Sequence, residues 1–213
     1  MQLKHARPPK VAIMLLLIFS AVAASGQTAA EKNFAVRAQN EFLRTQQLFR
    51  TAPEISSNIW QFASACFDLA TLATNETRRA ESARLGIAAS QQLLAREPKS
   101  APGHYYLAMN FGELAEAEAP SLAAYKLVHE VEREFKAATA LDETFDFAGP
   151  PRCLGLLYRD APGWPLSIGN KKKAKEFLEH AAALAPDYPE NIFEPRRVAL
   201  ALARTHRSRR RAQ

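Results

Sequence analysis

Cys66 and Cys153 are the only thiols in this sequence, and no C-x2-C pair is present to hold a zinc ion. G-x-S-x-G, H-E-x-x-H and a glycine-rich phosphate loop are also missing, which removes the usual marks of a hydrolase, a zinc protease or a nucleotide enzyme. His104, His129 and His180 fall on separate predicted helices without ligand spacing. The reading is a protein that is not an enzyme and needs no metal or cofactor. No strand-like alternation is found between Glu31 and Leu202. The longest apolar run, Val11 to Ala24, is shorter than the roughly 20 residues a membrane-spanning helix requires.

That run has a different meaning. Lys4, Arg7 and Lys10 precede it, no acid occurs before Glu31, and Ala21, Ala23, Ala24, Ser25 and Gly26 follow. Basic, apolar and small-residue segments in that order make residues 1–26 a cleavable export signal, cut between Ala23 and Gly26. No transmembrane helix remains after such a cut. In an exported chain the two cysteines can pair. Each, however, lies in an apolar helical pattern, where a free thiol behaves as a small buried hydrophobe.

The charge argues against nucleic acid. The formal net charge is +6, but Lys4, Arg7 and Lys10 contribute three of those charges. Arg204, Arg207, Arg209, Arg210 and Arg211 contribute five more, which leaves the body at about −2. A phosphate-gripping domain carries its basic patch on the folded surface. Here the excess sits at the ends, and residues 203–213 read as an Arg-rich disordered tail.

Helical periodicity fills the remainder. Ile55, Ile59, Phe62, Cys66, Leu69 and Ala73 make one stripe, and Trp60, Ala63 and Phe67 lie beside it, as in a helix covered on two sides. The spacing of Trp60, Ala63, Ser64 and Phe67 returns in His104, Leu107, Ala108 and Phe111, and again in Pro151, Leu154, Gly155 and Tyr158. The small residue of each set (Ser64, Ala108, Gly155) recurs every 44 to 47 residues, and a second helix follows each time. A small residue where two helices cross, a large one a turn later and a proline after the second helix suit stacked hairpins.

These residues resemble the tetratricopeptide repeat. The third unit fits best, through Leu154, Gly155 and Tyr158, then Ala174, Leu178, Ala181 and Pro186. The second fits through Val131, Phe135 and Ala138. The first fits less well, with Gly86 and Ser90 where better helix formers are expected. The resemblance implies an all-α, right-handed solenoid of about three helix pairs. It would span residues 51–202, after an N-terminal helix at 27–50. These units exceed the family's roughly 34 residues. The excess is expected as intra-repeat inserts at "TNETR", "EAEAPS" and "DAPGWPLSIGN". Asn170 is expected to cap the helix starting at Lys171. In the last insert Trp164 is either a plug over its helix pair or a ligand contact.

"GHYYLAMNFGELAE" and the stretch from Gly149 to Asn191 are also similar to the periplasmic repeat component of tripartite ATP-independent (TRAP) transporters. That likeness implies an exported, periplasmic scaffold accessory to solute uptake. Its partners would be a solute-binding protein or another envelope complex and a small-molecule ligand, and a homo-oligomer is compatible with it. A general protein–protein adaptor of the envelope is the second reading. Candidate binding residues are Tyr105, Tyr106, Asn110, Arg152, Tyr158 and Trp164. Arg152 would meet an anion at its helix start or pair with Glu143 or Asp146. Glu130, Glu132 and Glu134 read as a solvated face, as does "NKKKAKE". After "YPEN" a fourth unit is spoiled by Pro195 and Arg196, leaving "VALALA" as a degenerate cap.

Overall fold

A computed structural model describes residues 29–191. The expected signal, the segment after Asn191 and the Arg-rich tail lie outside the described residues. Within them the chain is all-α: α1 (Ala29–Thr51), α2 (Ser56–Thr71), α3 (Glu76–Arg96), α4 (Ala101–Ala117), α5 (Leu122–Leu141), α6 (Phe145–Asp160) and α7 (Lys171–Leu184). The described residues contain no strand. A single isolated bridge joins Gly163 and Gly169.

Polar side chains start the helices where backbone N–H groups would otherwise be unpaired. Asn75 Oδ1 accepts from Arg78 N, Ser100 Oγ from Gly103 N and Ser121 Oγ from Ala124 N. Asn170 Oδ1 accepts from both Lys172 N and Lys173 N, as its position before the lysine run predicts.

Each helix packs chiefly on its neighbours in the chain, and α2 also lies against α4. The core forms where these contacts converge. Val128, Val131 and Phe135 of α5 meet Ala108 of α4 and Leu154 and Tyr158 of α6. Phe62 of α2 packs between Phe42 and Phe49 of α1, with ring centroids 5.4 and 5.1 Å away. Leu178 of α7 is completely buried, a burial that contributes about 1.5–3 kcal/mol. Gly155 makes room for it: a Cβ at Gly155 would lie 2.6 Å from Leu178 Cγ.

The first unit is shifted by one residue from its expected register. Ala63, not Ser64, is fully buried, in a cluster with Ala89 and Leu93 of α3. Phe62 packs on α1 as Leu107 packs on α3 and Leu154 on α5. Ser64 is only half-buried. Gly86 is also explained. A methyl on it would overlap the side-chain amide of Asn110. The expected long inserts are corrected as well. The first two connections, 72–75 and 118–121, are short turns, so the extra length lies in α3 and α5 themselves. Only the third, 161–170, is a true insert.

The start of α6 is unusual. Asp146, Phe147 and Ala148 have φ of 51, 55 and 62°, a left-handed turn that costs L-residues about 1–2 kcal/mol each. The right-handed helix begins after it, with Gly149, Pro150 and Pro151. Prolines are tolerated there because a first helical turn needs no N–H. Gly149 leaves space for the Tyr105 hydroxyl, 2.8 Å from where a Cβ would sit.

Candidate functional site

Trp60, Ser64 and Asp68 follow one another at four-residue intervals and therefore share one face of α2. Beside them α4 presents Tyr106. Its ring stacks on Trp60, with centroids 5.9 Å apart and an interplanar angle of 1°. Phe145, the first residue of α6, meets both rings edge-on, at 6.1 Å from Trp60 and 6.2 Å from Tyr106. All three rings are half-buried. One helix of each hairpin thus supplies one ring to a continuous row that solvent still reaches. Offset and edge-on pairs at these separations are mutually attractive.

The row has an acidic border. Burial pushes the pKa of the Tyr106 phenol up to about 12, against a smaller opposing effect of Ser64. The charges of Asp146 and Asp68 add to that rise. Part of the Asp68 side chain meets solvent. Even so, loss of hydration, then the charges of Glu41 and Asp146, hold its carboxyl above the usual range. Met109 and Cys153 adjoin, with Cys153 Sγ 3.9 Å from Met109 Sδ. Both cysteines are free. Burial pushes the Cys153 thiol up to about 11 and that of Cys66 up to about 12, so neither is a thiolate at neutral pH.

Only Tyr106 of the six candidate residues belongs to this row. Tyr105 is buried behind it, its hydroxyl donating to Asp146 Oδ2 at 2.8 Å. Asn110 is fully buried. Its Nδ2 donates to Ala63 O at 3.0 Å and to Tyr106 O at 2.8 Å, tying α4 to α2. Tyr158 is buried under α7, with its hydroxyl on Glu132 and Lys173 Nζ 4.9 Å above its ring. These three are parts of the frame, not groove residues.

Arg152 is likewise corrected from anion contact to anchor. It is 4% exposed. Its Nη1 donates to Phe147 O at 3.0 Å and to Asn191 Oδ1 at 3.3 Å, and its Nη2 lies 3.7 Å from Asp146 Oδ2. The guanidinium rests over the Tyr188 ring at 4.6 Å, and that ring stacks on Phe147 at 5.1 Å. Asn191 Nδ2 also donates to Phe147 O. The left-handed turn is thus held from several sides, the condition under which such backbone persists. Of the two acids expected near Arg152, Glu143 instead pairs with His180 at 2.9 Å.

Trp164 is 88% exposed and plugs nothing. It lies beyond the far end of α6 from Phe145, roughly 20 Å along the helix at 1.5 Å per residue. Two of the three α5 acids expected on a solvated face, Glu132 and Glu134, are instead engaged in the frame, while Glu130 is partly exposed beside Arg133. Glu134 is buried between His104 Nδ1, at 2.6 Å, and Arg133, and Glu132 accepts from Tyr158 and Lys136.

A second buried carboxylate, Glu113 of α4, accepts from the Thr71 hydroxyl at 3.1 Å and pairs with Arg79 at 3.2 Å. Burial raises it to about 7 against the opposing pull of Arg79. Glu116, 3.0 Å from Arg79, completes the joint between α3 and α4. A shallow depression of about 460 Å³ on the α3–α4 turn is lined by Glu97, Pro98, Lys99 and Ser100, none of them a ring of the row.

Sequence reasoning missed Phe145 because no periodic pattern marks a left-handed turn, and it named Asp146 only as a partner for Arg152. Trp60 was visible as part of a second apolar stripe and of the recurring spacing, not as a binding residue. Among the described residues no group of three His, Cys, Asp or Glu side chains is placed to hold a metal ion. Among the same residues no helix is long and apolar enough to cross a membrane. No protein-family model matches the chain, and no curated protein matches it.

Proposed function

We propose that this chain is an exported scaffold of the tetratricopeptide-repeat type, without chemistry of its own. It serves solute uptake by holding a small ligand or a periplasmic solute-binding protein on the face shared by α2, α4 and α6. One observation carries the reading: the half-exposed row of Trp60, Tyr106 and Phe145, to which each of three successive hairpins contributes one ring. Rings that remain partly wet and are fixed by mutual packing offer apolar area at little further ordering cost. The repeat reading is supported by neighbour-on-neighbour packing and by Ala63, Ala108 and Gly155, the small residues at the hairpin crossings.

The open form of the row favours a second reading, a general adaptor that takes a segment of another envelope protein. Titration of the purified chain with the solute-binding protein of a co-encoded transporter, and with that transporter's solute, distinguishes the two. The uptake reading expects one of these to change Trp60 emission, and Tyr106→Ala to weaken the effect at least about tenfold. Silence towards both sinks it. Binding of an unrelated envelope protein through the same rings establishes the adaptor.

A further inference from the structure

The connection between α6 and α7 is a built projection. Its base is clasped: Gly163 and Gly169 are bridged, Gly169 N donates to Pro162 O at 2.8 Å, and Asn170 N donates to Tyr158 O at 2.8 Å. The two sides approach so closely that a methyl on Gly169 would overlap Ala161 O. Ile168 turns inward onto the core. Above the clasp, Leu166 N and Ser167 N both bond Gly163 O and close a tip of four residues, 164–167. Its apolar members point outward: Trp164 is 88% and Leu166 57% exposed, and Pro165 between them is exposed too. An ordered loop that holds its largest apolar side chains in water is arranged for something that covers them.

Charge identifies the covering. From 161 to 175 the chain has no acid and four lysines: Lys171, Lys172, Lys173 and Lys175. The first three are exposed, at the start of α7, where the helix dipole adds positive potential. Lys172 is only loosely paired, 3.8 Å from Glu176, and Lys175 is held by Glu179 at 2.6 Å. Four residues of chain lead from Ser167 at the tip to Lys171, which therefore lies within about 14 Å of it along the backbone.

We infer that the 161–173 projection docks on an anionic lipid surface, with Trp164 and Leu166 entering the headgroup region and Lys171 and Lys172 meeting lipid phosphates. Tryptophan suits that boundary because its ring is apolar and its N–H is not. Peripheral binding strengthens when inserted apolar area and basic charge act together. A protein partner fits less well. A stable interface covers about 800 Å² per side, and a tip of two apolar side chains offers a small part of that. The inference is independent of the aromatic row, which lies at the other end of α6.

The test is site-specific, so that only the environment of Trp164 is read. The full chain is mixed with vesicles of phosphatidylglycerol and phosphatidylcholine whose acyl chains are brominated. The emission of Trp164 is taken as wild type minus Trp164→Phe. Trp164 emission is expected to shift to shorter wavelength and be quenched. Salt, or the pair Lys171→Gln and Lys172→Gln, should reduce the quenching at least about threefold. Unquenched Trp164 overturns the inference and leaves a protein partner. Equal quenching in pure phosphatidylcholine overturns the role of the lysines. A blue-shifted, concentration-dependent emission without vesicles overturns it too, placing the tip in a contact between copies.

Discussion

Asn110 of α4 fills the space that Gly86 of α3 leaves empty, and in doing so places a side-chain donor on the backbone of α2 at Ala63 O. The pair explains a glycine that looks like a defect in a helix. We expect Gly86→Ala to destabilise the protein by about 1–3 kcal/mol, although alanine is the better helix former by about 1 kcal/mol. Asn110 Oδ1 is already buried without a hydrogen-bond partner, so Asn110→Ala loses only the donor side, about 1–2 kcal/mol. In urea unfolding the double variant should be more stable than Gly86→Ala alone. Simple additivity would contradict the shared space.

Arg152 and the left-handed turn form a second coupled unit. Arg152→Ala is expected to cost about 3 kcal/mol, since it strips Phe147 O and Asn191 of a buried charged donor. Arg152→Lys should not restore it, because a single ammonium cannot serve the same set of acceptors. Ala148→Gly, at φ 62°, is expected to stabilise by about 1 kcal/mol. Thermal midpoints of the three variants check this, and a loss for Ala148→Gly would deny the strain.

Glu113 gives a pH dependence with a definite sign. Its folded value of about 7 lies above the ordinary carboxylate value of 4.5, so the folded state holds the proton more tightly. Its protonation therefore favours folding below about 4.5, and that contribution is lost as pH rises towards 7 and is constant above. Glu113→Gln should abolish this segment of the profile and exceed wild type in stability at pH 8. Arg79 keeps Glu116 and Glu76 as partners in that variant. Chemical denaturation between pH 4 and 8 reads the result, and parallel profiles would refute it.

Trp164→Ala should leave the melting temperature unchanged, within about 0.5 kcal/mol, because an exposed side chain contributes little to the core. Gly169→Ala, by contrast, should loosen the clasp and lower the midpoint. A large loss for Trp164→Ala would restore the plug reading.

Helix periods, caps and breakers were legible in the chain. Asn75, Ser100, Ser121 and Asn170 act within a few residues of their own positions, and the stripes of α2 to α7 record which faces are apolar. Such information is local, so the all-α architecture and the start of α7 after Asn170 could be read from it, whereas the helix ends beside the first two expected inserts could not. Burial of polar groups was not legible. Tyr105, Asn110, Arg152, Tyr158 and Glu134 look like surface chemistry until residues 26 to 47 positions away close over them. The one-residue slip between Ser64 and Ala63 has the same cause. Both are small, and only contact with α3 distinguishes them.

What this sequence determined by itself is its all-α character and the cap that starts α7, because caps and periodicity are set between residues that are neighbours along the chain. Tertiary structure alone decided which tyrosines face solvent, that Arg152 braces a left-handed turn, and that Trp164 stands outside the core. Each of those outcomes depends on the free energy of contacts between distant segments, which no local pattern encodes.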